Sequence, residues 1–375
     1  MTRRRPSTPS LPARLSEVIM EFKKEYYQKV ERLADHITAT TDPKMKWMWG
    51  EALLGYALDE LDKENGSTKY TSFLKRYCDY WVKEDPAVDQ SDTAAPGLIT
   101  YAMYKRTGDE GCKRLTDKVL DYIRNEPRLY LDCLNHLGSS KKARIYPKSV
   151  WIDSVMMFSV FTSLYAKESA DAELLDFAAR QPKQYASMML NEESGLWAHS
   201  YWVKAKHAYP RRDLFWGRGN GWVICGFPMI LDNVGADHKE AEGIIELFRK
   251  TSEALLPCMR EDYTFGTLLK HKSYSELSAT ALISAGWLHG IRCGYLDEKF
   301  LDGAVHAFLA CVDALEESDE GFYMPRISGP TIPLPLFPKL GYKAVPLGKN
   351  WSYGVAALIF AAIEYKRCLE QLANK

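Results

Sequence analysis

Apolar residues in this chain recur at helical spacing and seldom alternate at strand spacing, which restricts it to an all-helical fold. Tyr70, Phe73, Leu74, Tyr77 and Trp81 fall at i, i+3, i+4, i+7 and i+11, so one aromatic stripe runs along a helix. The same period returns over residues 13–40, 46–64, 94–106, 109–124, 149–167, 171–190, 219–233, 238–256, 275–293, 297–315 and 351–371. Punctuation such as Thr107-Gly108-Asp109 and Gly294-Tyr295-Leu296-Asp297 stands just before the next helix, as a capped start does. About a dozen helices at intervals of roughly 25 to 30 residues are what six helical hairpins closed into a toroid require. With no Pro/Ser/Gly-rich linker to divide the chain, the expectation is a single all-α domain over residues 13–375, an (α/α)6 barrel. Two irregular stretches interrupt it, 191–217 and the proline-rich 318–350, and long loops in a compact domain tend to carry function.

The composition, 46% hydrophobic and 26% charged, suits a globular protein with a sizeable core, and 49 basic residues balance 49 acidic ones. Neither nucleic acid nor an anionic membrane is therefore an expected partner. No run approaches the roughly 18 apolar residues of a membrane span. Residues 1–12 are basic and Pro/Ser-rich and lack the apolar run of a secretory signal, so they read as a disordered tail. The eight cysteines are scattered without a CxxC pair, the pattern of reduced thiols in a cytoplasmic protein. No HExxH and no His/Cys cluster predicts a metal, and no phosphate or dinucleotide loop predicts a cofactor.

The stretch Trp216-Gly217-Arg218-Gly219-Asn220-Gly221-Trp222 concentrates bare backbone, a guanidinium, an amide and two indoles. Glycine admits φ > 0 and close approach of a ligand. Arginine offers a planar fork to a carboxylate, and tryptophan stacks on a pyranose face. These are the components of a sugar pocket, although a loop leading into a helix with core tryptophans uses the same residues.

Two acids stand where very apolar helices begin. Asp153 follows Trp151-Ile152 and precedes Val155, Met156 and Phe158, where desolvation raises a carboxyl toward the range of a general acid. Asp92 lies in Ser91-Asp92-Thr93-Ala94-Ala95-Pro96-Gly97. Each also fits a helix N-cap. As a pair in one cavity they are the usual equipment for glycosidic chemistry, one protonated and one ionised. His199 sits between aromatics in a loop and His136 in Leu134-Asn135-His136-Leu137-Gly138; both are weighed as site residues against structural roles.

Taken in order, these segments resemble the unsaturated uronyl hydrolases, that is the unsaturated rhamnogalacturonyl and glucuronyl hydrolases of glycoside hydrolase families 105 and 88. The residues that carry the resemblance are Asp92 to Gly97 followed by Met103 to Glu110, Ile145-Tyr146-Pro147 with Trp151-Ile152-Asp153, Ser194-Gly195-Leu196 with His199, Trp216 to Trp222, and Gly294 to Asp297. The resemblance implies an (α/α)6 barrel acting on small oligosaccharides whose terminal uronic acid carries the C4=C5 bond left by a lyase. It implies that Asp153 protonates C4 and then activates water for C5, with Asp92 as the ionised partner. Trp151, His199, Arg218, Trp222, Trp49 and His136 then bind substrate, most simply a pectin-derived unsaturated galacturonyl-rhamnose. The chain departs from the family at Leu98 in place of an arginine, at Lys142-Ala143-Arg144 in place of a histidine, and at Glu51 in place of an amide. A non-catalytic sugar-binding toroid, or an epimerase or lyase on the same barrel, are the alternatives.

Overall fold

The computed structural model describes residues 23–318 and 321–374; the expected tail at 1–12 lies outside them. Among the described residues, twelve long helices alternate between two rings. Lys23–Thr40, Thr71–Glu84, Glu110–Asn125, Ala172–Met189, Ala241–Leu255 and Leu301–Asp313 form the outer ring. Trp49–Glu64, Gly97–Thr107, Val160–Ser169 with the π-helical turn Val155–Ser159 before it, Gly217–Val234, Leu277–Arg292 and Ser352–Ala373 form the inner one, and the last packs on the first to close it. This is the (α/α)6 barrel expected from the periodicity.

The two rings follow from the residue pattern. Every residue from Leu277 to Ile291 in the inner helix is buried, whereas Glu110–Asn125 in the outer ring buries one stripe, Cys112, Leu115, Thr116, Val119, Leu120 and Ile123 among it, and leaves its charges in water. At the start of that outer helix Gly108 adopts φ +69° to end the preceding one, and the Asp109 carboxylate accepts from the amides of Gly111 and Cys112 at 2.8 and 3.2 Å. The inner helices approach closely: a Cβ on Gly286 would lie 2.1 Å from the Ile224 carbonyl oxygen.

Two expectations need correcting. The helix expected over 149–167 begins as strand Ser149–Trp151, because these residues pair with Ser200–Trp202, which pairs in turn with His207–Tyr209. The Trp216 to Trp222 segment is the first turns of Gly217–Val234, with ordinary helical φ at its glycines. Those glycines make room for protein: a Cβ on Gly217 would lie 2.3 Å from the Gly266 oxygen, and one on Gly221 would lie 3.0 Å from the Leu282 Cβ.

None of the eight cysteines is in a disulfide, and six of them are buried. Among the described residues no helix is long and apolar enough to cross a membrane.

Candidate active site

A cavity of about 420 Å³ opens at the barrel end where the inner helices begin. Trp49, Asp92, Asp153, Trp216, Arg218 and Tyr353 on its wall all lie at or beside such starts. The positive ends of several helix dipoles thus converge on it, a setting that favours a bound anion.

Backbone pairing brings Asp92, His136, Asp153 and His199 together. The Ser91 amide donates to the His136 carbonyl at 2.9 Å, and the His136 amide to the Ser149 carbonyl at 3.0 Å. Trp151 then registers opposite Ser200, and the Ile152 amide donates to the His199 carbonyl at 3.0 Å. The register alone therefore sets Asp153, one residue beyond Ile152, beside His199.

Two carboxylate–histidine pairs result. His199 Nε2 lies 3.2 Å from Asp153 Oδ2, out of line for a full hydrogen bond, while its Nδ1 meets the Tyr342 hydroxyl at 2.9 Å. His136 Nε2 lies 3.4 Å from Asp92 Oδ1, and its Nδ1 meets Ser154 Oγ at 3.0 Å. Trp151 stands between the pairs, stacked on the His136 ring at 4.4 Å between centroids and edge-on to His199 at 5.3 Å. Trp216 stacks on the other face of the site against His199 at 4.3 Å.

Neither acid is a helix cap. The short helix Ser91–Ala94 is capped by Gln90 with Thr93, and the Asp153 side chain leaves the amides of Met156 and Met157 to its own main-chain carbonyl. Both carboxylates face the cavity.

The electrostatics of Asp153 differ from the expectation of a raised pKa. Burial pushes the carboxyl up, but the imidazoles of His199 and His136 outweigh it and hold Asp153 below its ordinary value. Burial also lowers His199, against the pull of Asp153. Glu51, also on the wall, is raised by burial.

Arg218 reaches the cavity with partners that its place in the sequence did not announce. It lines the cavity, but its fork is occupied: Nη1 donates to Ser328 O and Oγ at 2.8 and 2.6 Å, and Nη2 to Gly329 O and Thr331 Oγ1 at 2.9 and 3.2 Å. The guanidinium lies 4.8 Å from the ring centres of both Trp216 and Tyr353, with Glu276 at 3.8 Å. Here Arg218 pins the segment Ser328–Thr331 as a cavity wall through both Nη groups, while its buried Nε–H has no hydrogen-bond partner. Trp222 is fully buried, edge-on behind Trp49 at 6.0 Å, and is not part of the cavity wall. Trp49, Trp151 and His136 do line it, and His199 backs Asp153.

The sequence reading named Trp216 only as part of its segment and passed over Tyr342 and Tyr353. Trp216 stood at the head of the glycine-rich segment, and Tyr342 in the proline-rich loop already singled out; Tyr353 gave no signal beyond an aromatic at a helix start.

Among the described residues, Asp232, His289 and Cys293 also bring ligand-type atoms within 4.8 Å of one another, at the opposite end of the barrel. An ion-pair network explains them. His289 lies 2.9 Å from Asp232 and 3.7 Å from Glu364, and Glu364 takes Arg292 at 2.8 Å.

Residues 21–369 match the profile of the Glycosyl Hydrolase Family 88. The unsaturated rhamnogalacturonyl hydrolase YesR of Bacillus subtilis (strain 168) is 23% identical over 341 residues, 90% of this chain and 95% of that protein. An unsaturated 3S-rhamnoglycuronyl hydrolase of Alteromonas sp. (strain LOR) is 24% identical over 272 residues, 69% of this chain and 62% of that protein. Among solved structures, a family 105 glycoside hydrolase from C. acetobutylicum ATCC 824 superposes with a TM-score of 0.81 at 21% identity, over 92% of this chain and 99% of that one. With a match running almost from end to end and the barrel in common, the chain belongs to the Glycosyl Hydrolase Family 88.

Proposed function

We propose that this enzyme releases a 4,5-unsaturated uronic acid from the non-reducing end of lyase-generated oligosaccharides, with unsaturated galacturonyl-rhamnose from pectin as the substrate. The observation that carries the reading is that Asp92 and Asp153 face one cavity, each against its own histidine. A sugar-binding protein needs neither pair, and an epimerase or lyase needs a different acid/base set.

The sugar lies against Trp49, the half-buried indole of the wall, whose face accepts its C–H surface, with the buried rings of Trp151 and Trp216 behind the two histidines closing the pocket. Asp153, carrying a proton when substrate is bound, delivers it to C4 of the enol ether. Positive charge develops at C5 and the ionised Asp92 supports it. Asp153, now the conjugate base, takes a proton from the water that adds at C5, so one water is consumed and the acid is restored. The hemiketal opens and the aglycone leaves without displacement at C1. With the Arg218 fork occupied, Lys46 and Lys142 on the cavity wall supply the charge for the substrate carboxylate. Eight cysteines without a disulfide among them support a reducing, cytoplasmic setting.

The test follows the ultraviolet absorbance of the conjugated C=C–COOH group on unsaturated galacturonyl-rhamnose. Wild type should abolish it, with deuterium from D2O appearing at C4, and Asp153→Asn should lower kcat by at least about 10² with binding nearly intact. Unchanged absorbance, a gain in absorbance, or normal turnover by Asp153→Asn would each defeat the reading.

A further inference from the structure

The zero net charge of the chain conceals a strongly basic face beside the cavity. Segments 141–148, 204–212 and 339–343 hold four, four and two Lys and Arg residues and no acid. All ten are exposed, and none forms an ion pair among the described residues; the nearest acid in sequence, Asp213, lies 3.9 Å from Lys270.

The fold gathers these segments. The Val203 amide donates to the Lys148 carbonyl at 3.3 Å, which places 204–206 beside 148. The Tyr146 hydroxyl donates to Pro333 O at 2.5 Å, and that of Tyr209 to Leu334 O at 2.6 Å, tying both to the loop that carries Lys339 and Lys343. Lys142 and Ile332 belong to this face and also line the cavity, so the basic surface runs on from its mouth.

We propose that this face binds the reducing-end continuation of a longer anionic oligosaccharide, whose further uronates lie across Lys204, Lys206, Arg211 and Arg212 while its unsaturated end occupies the cavity. The inference rests on the proposed activity for the cavity itself. Ten unpaired cations have a partner of opposite charge as their natural complement, and a cavity of about 420 Å³ leaves sugars beyond the first few outside it. Ile145, Leu336, Phe337 and Leu340, exposed on the same face, offer apolar contact to the C–H surfaces of those sugars. An anionic membrane fits the charge equally but would lie across the mouth and shut off entry.

The test compares the disaccharide with a lyase-generated hexasaccharide of alternating uronate and rhamnose, using wild type and the quadruple variant Lys204→Ser, Lys206→Ser, Arg211→Ser, Arg212→Ser. The variant should lose at least about tenfold in kcat/KM on the hexasaccharide, through KM, and nothing on the disaccharide; raising salt should do the same to wild type. Equal kinetics of variant and wild type on both substrates overturns the proposal. Should wild type hydrolyse neither substrate, titration with a saturated oligogalacturonate decides: binding lost in the variant sustains the surface while the activity reading falls, and no binding overturns it. Binding only to anionic phospholipid vesicles also overturns it.

Discussion

His199 Nε2 stands 3.2 Å from Asp153 Oδ2, with the other ring nitrogen engaged by the Tyr342 hydroxyl. The Tyr342 bond orients the imidazole beside Asp153, where it is the largest of the influences that hold that carboxyl below its ordinary value against burial.

A pH dependence follows. Because His199 and His136 overcome burial and lower the Asp153 pKa, the protonated acid is scarce in the free enzyme, and kcat/KM should fall as pH rises. His199→Gln removes the larger of the two lowering influences and leaves desolvation, so the descending limb should move to higher pH while overall activity drops. A limb that stays in place or moves lower would show that Asp153 is not the titrating acid.

Arg218→Lys should weaken the cavity wall rather than remove a ligand contact. An ammonium cannot hold Ser328, Gly329 and Thr331 together, and stranding those buried acceptors costs roughly 1 to 3 kcal/mol. The expected outcome is a lower melting temperature together with a raised KM. A raised KM with an unchanged melting temperature would mean that the fork turns to the substrate when it binds.

Trp222 and Trp49 should separate in mutagenesis although their rings touch. Trp222→Phe should lower the melting temperature by less than truncation to Ala, which costs about 3 to 5 kcal/mol, and leave KM near wild type. Trp49→Ala should raise KM by roughly three- to tenfold through loss of a stacking face. If Trp222→Phe raised KM as much as Trp49→Ala, the cavity would have to extend past Trp49 to the buried indole.

His289 gives a stability prediction independent of catalysis. Burial opposes its charge, but Glu364 and Asp232 prevail and raise its pKa to about 10. Since the folded value lies above the unfolded one, its stabilising contribution is complete below about pH 6.5 and is lost as pH rises to about 10. Melting temperature should fall over that window, and His289→Gln should be less stable at pH 6 yet show a flatter profile. An equally steep decline in the variant would place the effect elsewhere.

What the sequence could express was local. The i, i+3, i+4, i+7 spacing at Tyr70 to Trp81 and its recurrences specify amphipathic outer helices and all-apolar inner ones, and two such rings of hairpins have few ways to pack other than as a barrel. Trp151-Ile152-Asp153 and Asp92 were visible as acids at the start of apolar helices, because a charge beside a buried run is legible without coordinates. Which partners these acids take was not legible. The pairings Asp153–His199 and Asp92–His136 span 46 and 44 residues of chain, and they depend on a strand register that three residues, Ser149 to Trp151, do not announce in a helical sequence. The same limit hid the partners of Arg218: a guanidinium beside glycines looks free in one dimension, and only the return of Ser328 to Thr331, 110 residues later, engages its Nη groups. The order of the chain thus determined the barrel and nominated its acids, while long-range packing decided which charges are neutralised, which ring faces the cavity, and which proton is available to move.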